Sequence, residues 1–120
     1  MIYNGIDLVE IKRIEKSLKN ESFLLKVYGE DERKELEIKK TESYAAAFAA
    51  KEAFGKALGT GLNGFSLSEV QVLHEENGRP YFKLSGKAQE LAKEKNLSFA
   101  LSLTHTKNYA AAFVSAFQGE

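Results

Sequence analysis

The chain has no cysteine. Disulfides, zinc–thiolate centres and cysteine nucleophiles are therefore excluded. It carries no net charge, with 17 Lys+Arg against 17 Asp+Glu. A dedicated nucleic-acid binder usually needs a basic surplus to offset phosphates, so that class is not expected, although a local basic patch remains open. No run approaches the ~18 apolar residues of a membrane span, and no membrane association is expected. Met1-Ile2-Tyr3-Asn4-Gly5 lacks the charged and apolar regions of a signal peptide, so the cytoplasm is the expected compartment. There is no phosphate loop of the G-x-x-x-x-G-K-[ST] type and no G-x-S-x-G nucleophile elbow. Tryptophan is absent and proline occurs once, which constrains little. The chain offers 120 residues, 43% hydrophobic, enough for one buried core. A single domain over residues 1–120 is expected, with no repeat and no linker.

The hydrophobic pattern predicts a short strand from residue 2 that ends near Asp7, then a helix over residues 10–19 with Ile11, Ile14 and Leu18 on one side. Phe23–Tyr28 reads as one or two helical turns stopped by Gly29. The charge-rich stretch 30–40 reads as an exposed helix. The region around Thr41 and Ser43 suits an N-cap, and the Ala-, Phe- and Leu-rich run from Tyr44 to Leu58 reads as a largely buried helix closed by Gly59. Strands at 69–74 and 81–84 flank Asn77-Gly78, a hairpin signal. A helix over 85–96 and strands over 98–103 and 109–117 complete the chain. The last strand is apolar on both faces, which suits a central position. The order predicts an α+β fold.

Gly59-Thr60-Gly61-Leu62-Asn63-Gly64 matches G-x-G-x-x-G but follows a helix rather than a strand, so a helix C-cap explains Gly59 more simply than a dinucleotide site. Glu52 and Lys56 share one helix face. They read either as a surface ion pair or as a carboxylate metal ligand beside a phosphate-binding ammonium. The second reading needs another carboxylate, and Asp7 qualifies; it could equally cap the helix that follows. His105 lies among Thr104, Thr106, Lys107 and Asn108, either solvated or cradling a phosphate. His74 has no evident partner and reads as structural. Residues 12–26 hold five basic residues, Lys12, Arg13, Lys16, Lys19 and Lys26, against Glu15 and Glu21. That is either a solvated helix face or a docking patch for an acidic partner.

Three segments together resemble the bacterial holo-[acyl-carrier-protein] synthases, the short type of the 4′-phosphopantetheinyl transferase superfamily. They are Gly5-Ile6-Asp7-Leu8-Val9-Glu10-Ile11-Lys12-Arg13-Ile14, the run Phe48-Ala49-Ala50-Lys51-Glu52-Ala53-Phe54-Gly55-Lys56-Ala57-Leu58-Gly59-Thr60-Gly61, and Leu101-Ser102-Leu103-Thr104-His105-Thr106-Lys107-Asn108-Tyr109-Ala110. The resemblance spans essentially the whole chain. It implies an antiparallel sheet packed against a long buried helix plus shorter helices. It implies transfer of 4′-phosphopantetheine from coenzyme A to a serine of apo acyl carrier protein, leaving adenosine 3′,5′-bisphosphate. Asp7 and Glu52 would bind Mg²⁺, and Lys56 would contact the coenzyme A diphosphate, making these three the catalytic set. The base for the serine proton is open among Glu52, Asp7 and a water that Glu52 orients. The resemblance further implies a homotrimer with its sites between subunits. Gly61, Asn77, Gly78, Arg79, Pro80, His105 and Thr106 would line the coenzyme A pocket, residues 77–80 reaching it from a neighbouring subunit. Arg13 would meet the acidic carrier protein. Ala47 departs from the pattern, standing where relatives commonly carry Arg; the missing guanidinium either weakens nucleotide-phosphate binding or is replaced by Lys39 or Lys40. The alternative functions are a catalytically silent coenzyme A-binding module, or the same transfer onto a polyketide or peptide synthetase carrier domain.

Overall fold

A computed structural model describes residues 1–119. The fold is α+β, built on an 18-residue helix, α4 (Thr41–Leu58), that is buried along most of its length. Strands β1 (Ile2–Glu10), β4 (Leu97–His105) and β5 (Tyr109–Gln118) form an antiparallel sheet in the order β1-β5-β4. Strands β2 (Val70–His74) and β3 (Pro80–Leu84) form a separate antiparallel hairpin. Helices α1 (Ile11–Ser17), α2 (Glu21–Val27) and α3 (Glu30–Leu36) precede α4, and α5 (Gly86–Glu94) lies between β3 and β4. Among the described residues no helix is long and apolar enough to cross a membrane.

β5 is the central strand, as its two-sided apolarity requires. Its inner residues Ala110, Ala112, Val114 and Ala116 are buried against α4. The helix answers with Ala45, Ala46, Ala49, Ala50, Ala53 and Ala57, all buried. Small side chains on both surfaces let helix and sheet approach closely, which maximises dispersion contact. A second cluster forms around Phe54, whose ring sits 4.6 to 5.4 Å from those of Phe99, Phe82 and Phe65.

Several boundaries differ from the sequence pattern. β1 does not end near Asp7 but runs through it to Glu10, so Asp7 is mid-strand, opposite Ala112. It caps no helix; Glu10 occupies the N-cap of α1. Asn4, Gly5 and Asp7 interrupt the apolar pattern without interrupting the strand, because ladder hydrogen bonds to β5 hold the backbone. Lys40, not Thr41, is the N-cap of α4. The stretch 30–40 is helical only to Leu36 and is not simply exposed, since Glu32 and Leu36 are buried. The 69–74 strand begins at Val70, after a 3₁₀ turn over Leu67–Glu69.

Gly59 closes α4 with φ +91°, and its N–H donates to the carbonyl of Gly55. In the β2–β3 turn Gly78 has φ +90° and its N–H donates to the carbonyl of Glu75. Asn77 keeps a negative φ, so this is a type I turn with a glycine bulge rather than a mirror-image turn.

The outer face of the three-stranded sheet is unusually apolar. Ile6 and Leu8 are each 63% exposed and Phe113 is 43% exposed, with Ile2 and Phe117 beside them. Ser98, Ser102 and Thr104 of β4 share this face, and between β1 and β5 Ser115 Oγ donates to Asn4 Oδ1 at 3.0 Å.

Candidate active site

Gly5 creates the site by letting β1 lie directly on α4. A Cβ there would sit 2.0 Å from the carbonyl oxygen of Ala53, so only glycine permits this approach. Two residues along the same strand face, Asp7 points back at α4. Lys56 Nζ donates to Asp7 Oδ1 at 3.2 Å and to the Ile6 carbonyl at 2.9 Å. The ion pair of Lys56 is therefore with Asp7 on the strand, not with Glu52 one turn earlier on the helix. Glu52 stays half-buried beside them. Burial, and then the Asp7 charge, push its carboxyl pKa up; Arg13 and Lys56 pull it partly back. Arg13 also stacks over the Phe48 ring at 5.8 Å, which holds α1 against α4 near Glu52.

Asp7 Oδ2 is buried and has no hydrogen-bond partner. A buried carboxylate oxygen left unpaired is costly unless another group satisfies it. Together with Glu52, this makes a hard-oxygen donor pair, which fits Mg²⁺ held by one or two carboxylates plus substrate oxygens. Among the described residues no third acidic or histidine side chain joins them. The remaining ligands would have to come from substrate or water.

The other predicted residues are not gathered at this point of the same chain. Lys56 lines a cleft of about 630 Å³ that continues along Leu58, Gly59, Lys95 and Gln118. Gly61 lies just past α4, its N–H bonded to the Gly55 carbonyl. Asn77, Gly78, Arg79 and Pro80 line a different cleft, facing Phe99–Ser102 of β4. The Asn77 side chain accepts a hydrogen bond from the Arg79 N–H. His105 lines a third, smaller cavity with Ala46, Ala47, His74 and Thr104. Thr106 is spent on the turn after β4, its hydroxyl accepting from the Tyr109 N–H at 3.1 Å. Ala47 is buried at the wall of the His105 cavity, where a longer side chain would enter it.

Two pairings were not foreseen. Lys51 and Glu32 form a fully buried ion pair, 0% exposed on both sides, at 2.7 Å. Lys51 Nζ also donates to the carbonyls of Val70 and Leu67. The Glu32 carboxylate accepts from the N–H groups of Gly29 and Val72. All three Lys51 ammonium hydrogens and both Glu32 oxygens are thus engaged, as burial demands. The signal was present in a lysine surrounded by alanines, but its partner lies 19 residues away. His74 is tied to Glu35, Nδ1 to Oε2 at 3.4 Å.

Comparison with known proteins agrees with this architecture. The family model of the 4′-phosphopantetheinyl transferase superfamily matches residues 4–114. A holo-[acyl-carrier-protein] synthase of Treponema denticola is 46% identical over 114 residues, covering 92% of this chain and 93% of that protein. The solved holo-[acyl-carrier-protein] synthase of Neisseria meningitidis superposes with a TM-score of 0.91 at 32% identity, covering 98% of this chain and 100% of that one. The Helicobacter pylori enzyme, solved in complex with coenzyme A, gives 0.85 at 32% identity over 98% of this chain and 100% of that one. The chain belongs to the 4′-phosphopantetheinyl transferase superfamily.

Proposed function

We propose that this chain transfers 4′-phosphopantetheine from coenzyme A to a serine of apo acyl carrier protein, releasing adenosine 3′,5′-bisphosphate. The observation that carries the reading is the Asp7–Lys56 contact with an unpartnered Asp7 oxygen and a half-buried Glu52 beside it. The serine oxygen forms a bond to the phosphorus that bears pantetheine. The bond from that phosphorus to the bridging oxygen breaks, and the electron pair leaves with the nucleotide. Charge therefore grows on the departing phosphate. The Lys56 ammonium stands where it can stabilise that charge, and its contact with Asp7 orients it. Mg²⁺ bound by Asp7 and Glu52 would add positive charge against the diphosphate. Glu52 orients the water that takes the serine proton. Arg13, exposed on α1 within the basic 12–26 stretch, meets the acidic carrier protein.

Residues 1–120 act as one domain, and three copies assemble with the site between subunits. The apolar outer sheet face supports this, since exposed Ile6, Leu8 and Phe113 call for a covering surface. The separation of Asn77–Pro80 and His105 from Lys56, in different clefts of one chain, is also what a shared site requires. The reading sets the reaction in the cytoplasm.

Incubation with coenzyme A, Mg²⁺ and apo carrier proteins, followed by intact mass measurement, tests the function. A gain of one phosphopantetheine on the acyl carrier protein is expected. Gain on a polyketide or peptide synthetase carrier domain alone would reassign the partner, and no gain on any carrier would sink the enzymatic reading. Small-angle scattering tests the trimer, which a monomeric mass would refute.

A further inference from the structure

The β2–β3 hairpin is not hydrogen-bonded to the three-stranded sheet. One edge of β2 pairs with β3, and an uncovered second edge would leave its N–H groups without partners. Helix α3 covers that edge with carboxylates. The Val72 N–H donates to Glu32 Oε2 at 2.9 Å, and the His74 N–H donates to Glu35 Oε1 at 3.0 Å. The match is geometric: N–H groups two apart on a strand point to the same edge, and residues three apart share one helix face. Two further contacts fasten the same helix to the hairpin. The Glu32 N–H donates to Gln71 Oε1 at 2.9 Å, and Lys83 Nζ of β3 donates to Asp31 Oδ2 at 2.6 Å.

This seam runs from the core outwards. Its inner end is the buried Glu32, paired with Lys51. Its outer end is the half-buried Glu35, whose second oxygen lies 3.4 Å from His74 Nδ1. Past His74 the chain enters the exposed turn 75–79. Among the described residues, the one side-chain hydrogen bond of that turn, Arg79 N–H to Asn77 Oδ1, is internal to it. A Cβ at Gly78 would meet nothing within 4 Å. Glu35 is thus the last polar anchor from outside the hairpin before the turn begins.

Resting on the proposed function, in which residues 77–80 complete the site of a neighbouring subunit, we propose that Glu35 is a positioning residue for that neighbour's site. It acts through the hairpin. By holding both the backbone and the ring of His74, it sets the reach and tilt of the turn. A hairpin held only at its root samples orientations that do not meet the neighbour. The apparent affinity of the shared pocket then falls with the fraction of hairpins in the competent position. Asp7, Glu52 and Lys56 stand on β1 and α4, outside the seam, so the chemical step is untouched.

Steady-state transfer in the wild type, Glu35→Ala and Glu35→Gln tests this. Glu35→Ala should raise KM for coenzyme A about fivefold with kcat within about twofold. Glu35→Gln keeps an acceptor oxygen for the His74 N–H and should restore most of the loss. A fall in melting temperature with KM unmoved would overturn the assignment, and so would a fall in kcat alone. Mixed assemblies read the direction of action. A doubly tagged assembly of Glu35→Ala chains with Lys56→Ala chains contains one junction where an intact Lys56 faces an intact hairpin. That junction should turn over with the wild-type KM; if only the raised KM appears, Glu35 serves its own chain's site and the proposal fails. A readout independent of turnover uses the absence of cysteine. A nitroxide attached at Glu76→Cys should be more mobile in the Glu35→Ala background than in the wild-type one, and equal mobility would refute the positioning role. If the wild type transfers nothing to any carrier, the enzymatic reading fails separately, and the nitroxide still decides Glu35.

Discussion

Replacing Gly5 by alanine adds one carbon at the point where β1 rests on α4. That carbon would lie 2.0 Å from the Ala53 carbonyl oxygen and 2.9 Å from the Ala57 nitrogen, whereas ordinary contact begins near 3.4 Å. Strand and helix must therefore part by about 1.4 Å, and neither offending atom belongs to a side chain that could swing aside. Overpacking of this kind costs about 1–3 kcal/mol, and backbone neighbours put it at the upper end. Removing a glycine from a strand returns about 0.5–1 kcal/mol. The net loss is about 2 kcal/mol, which lowers Tm by roughly 6–10 °C in a domain of this size. Turnover should suffer more, because Asp7 travels with β1 away from Lys56. A misplacement of about 1 Å costs about a hundredfold in rate. Gly64→Ala is the control. Its φ of +93° is strained for alanine, but the new Cβ has only the Leu91 side chain at 3.4 Å. It should lose about 1–2 kcal/mol of stability and keep its kcat. Melting curves and the transfer assay read both quantities. If Gly5→Ala melts within about 2 °C of wild type and turns over normally, the close approach is not what builds the site.

Glu52→Gln should abolish most transfer yet raise the melting temperature of the metal-free protein at pH 8. The Glu52 pKa is raised above 4.5, so the folded chain holds that proton more tightly than the unfolded one, and stability is lost as pH rises. The gain should shrink towards pH 4.5 in melts with chelator, and a gain that grows on acidification would contradict the sign. Lys51→Met should cost about 3–5 kcal/mol in denaturant titration by stranding the Glu32 carboxylate, and adding Glu32→Gln should recover part of it. Additive losses would mean the two side chains do not act as a pair. Ala47→Arg should place a guanidinium at the His105 cavity and tighten coenzyme A binding by calorimetry; unchanged affinity would show that Ala47 costs the chain nothing.

The elements legible in the sequence were those with a local cause. α4 is written in alanine, the central position of β5 in its two apolar faces, and the hairpin in Asn77-Gly78. What escaped was set across space. β1 looked broken because Gly5 and Asp7 serve α4 and the site rather than the strand pattern. Glu32 looked solvent-bound within a run of charges because its buried partner sits on another helix. Spacing along α4 put Glu52 and Lys56 together, but a cross-element carboxylate took the lysine. Asp7, Glu52, Lys56 and Arg13 do converge, whereas Asn77–Pro80 and His105 line separate clefts of the same chain.

In the proposed assembly of copies, the hydrogen bond from Ser115 to Asn4 bears on recognition. In water it contributes little, because either group can bond solvent instead. Once an apolar surface closes over Ile6, Leu8 and Phe113, any polar group left without a partner costs about 1–3 kcal/mol. The Asn4 amide N–H groups have no protein partner among the described residues, so a mate that slides over this face without offering an acceptor is penalised. In the proposed trimer, Asn4 would thus penalise any mating orientation that offers its amide no acceptor.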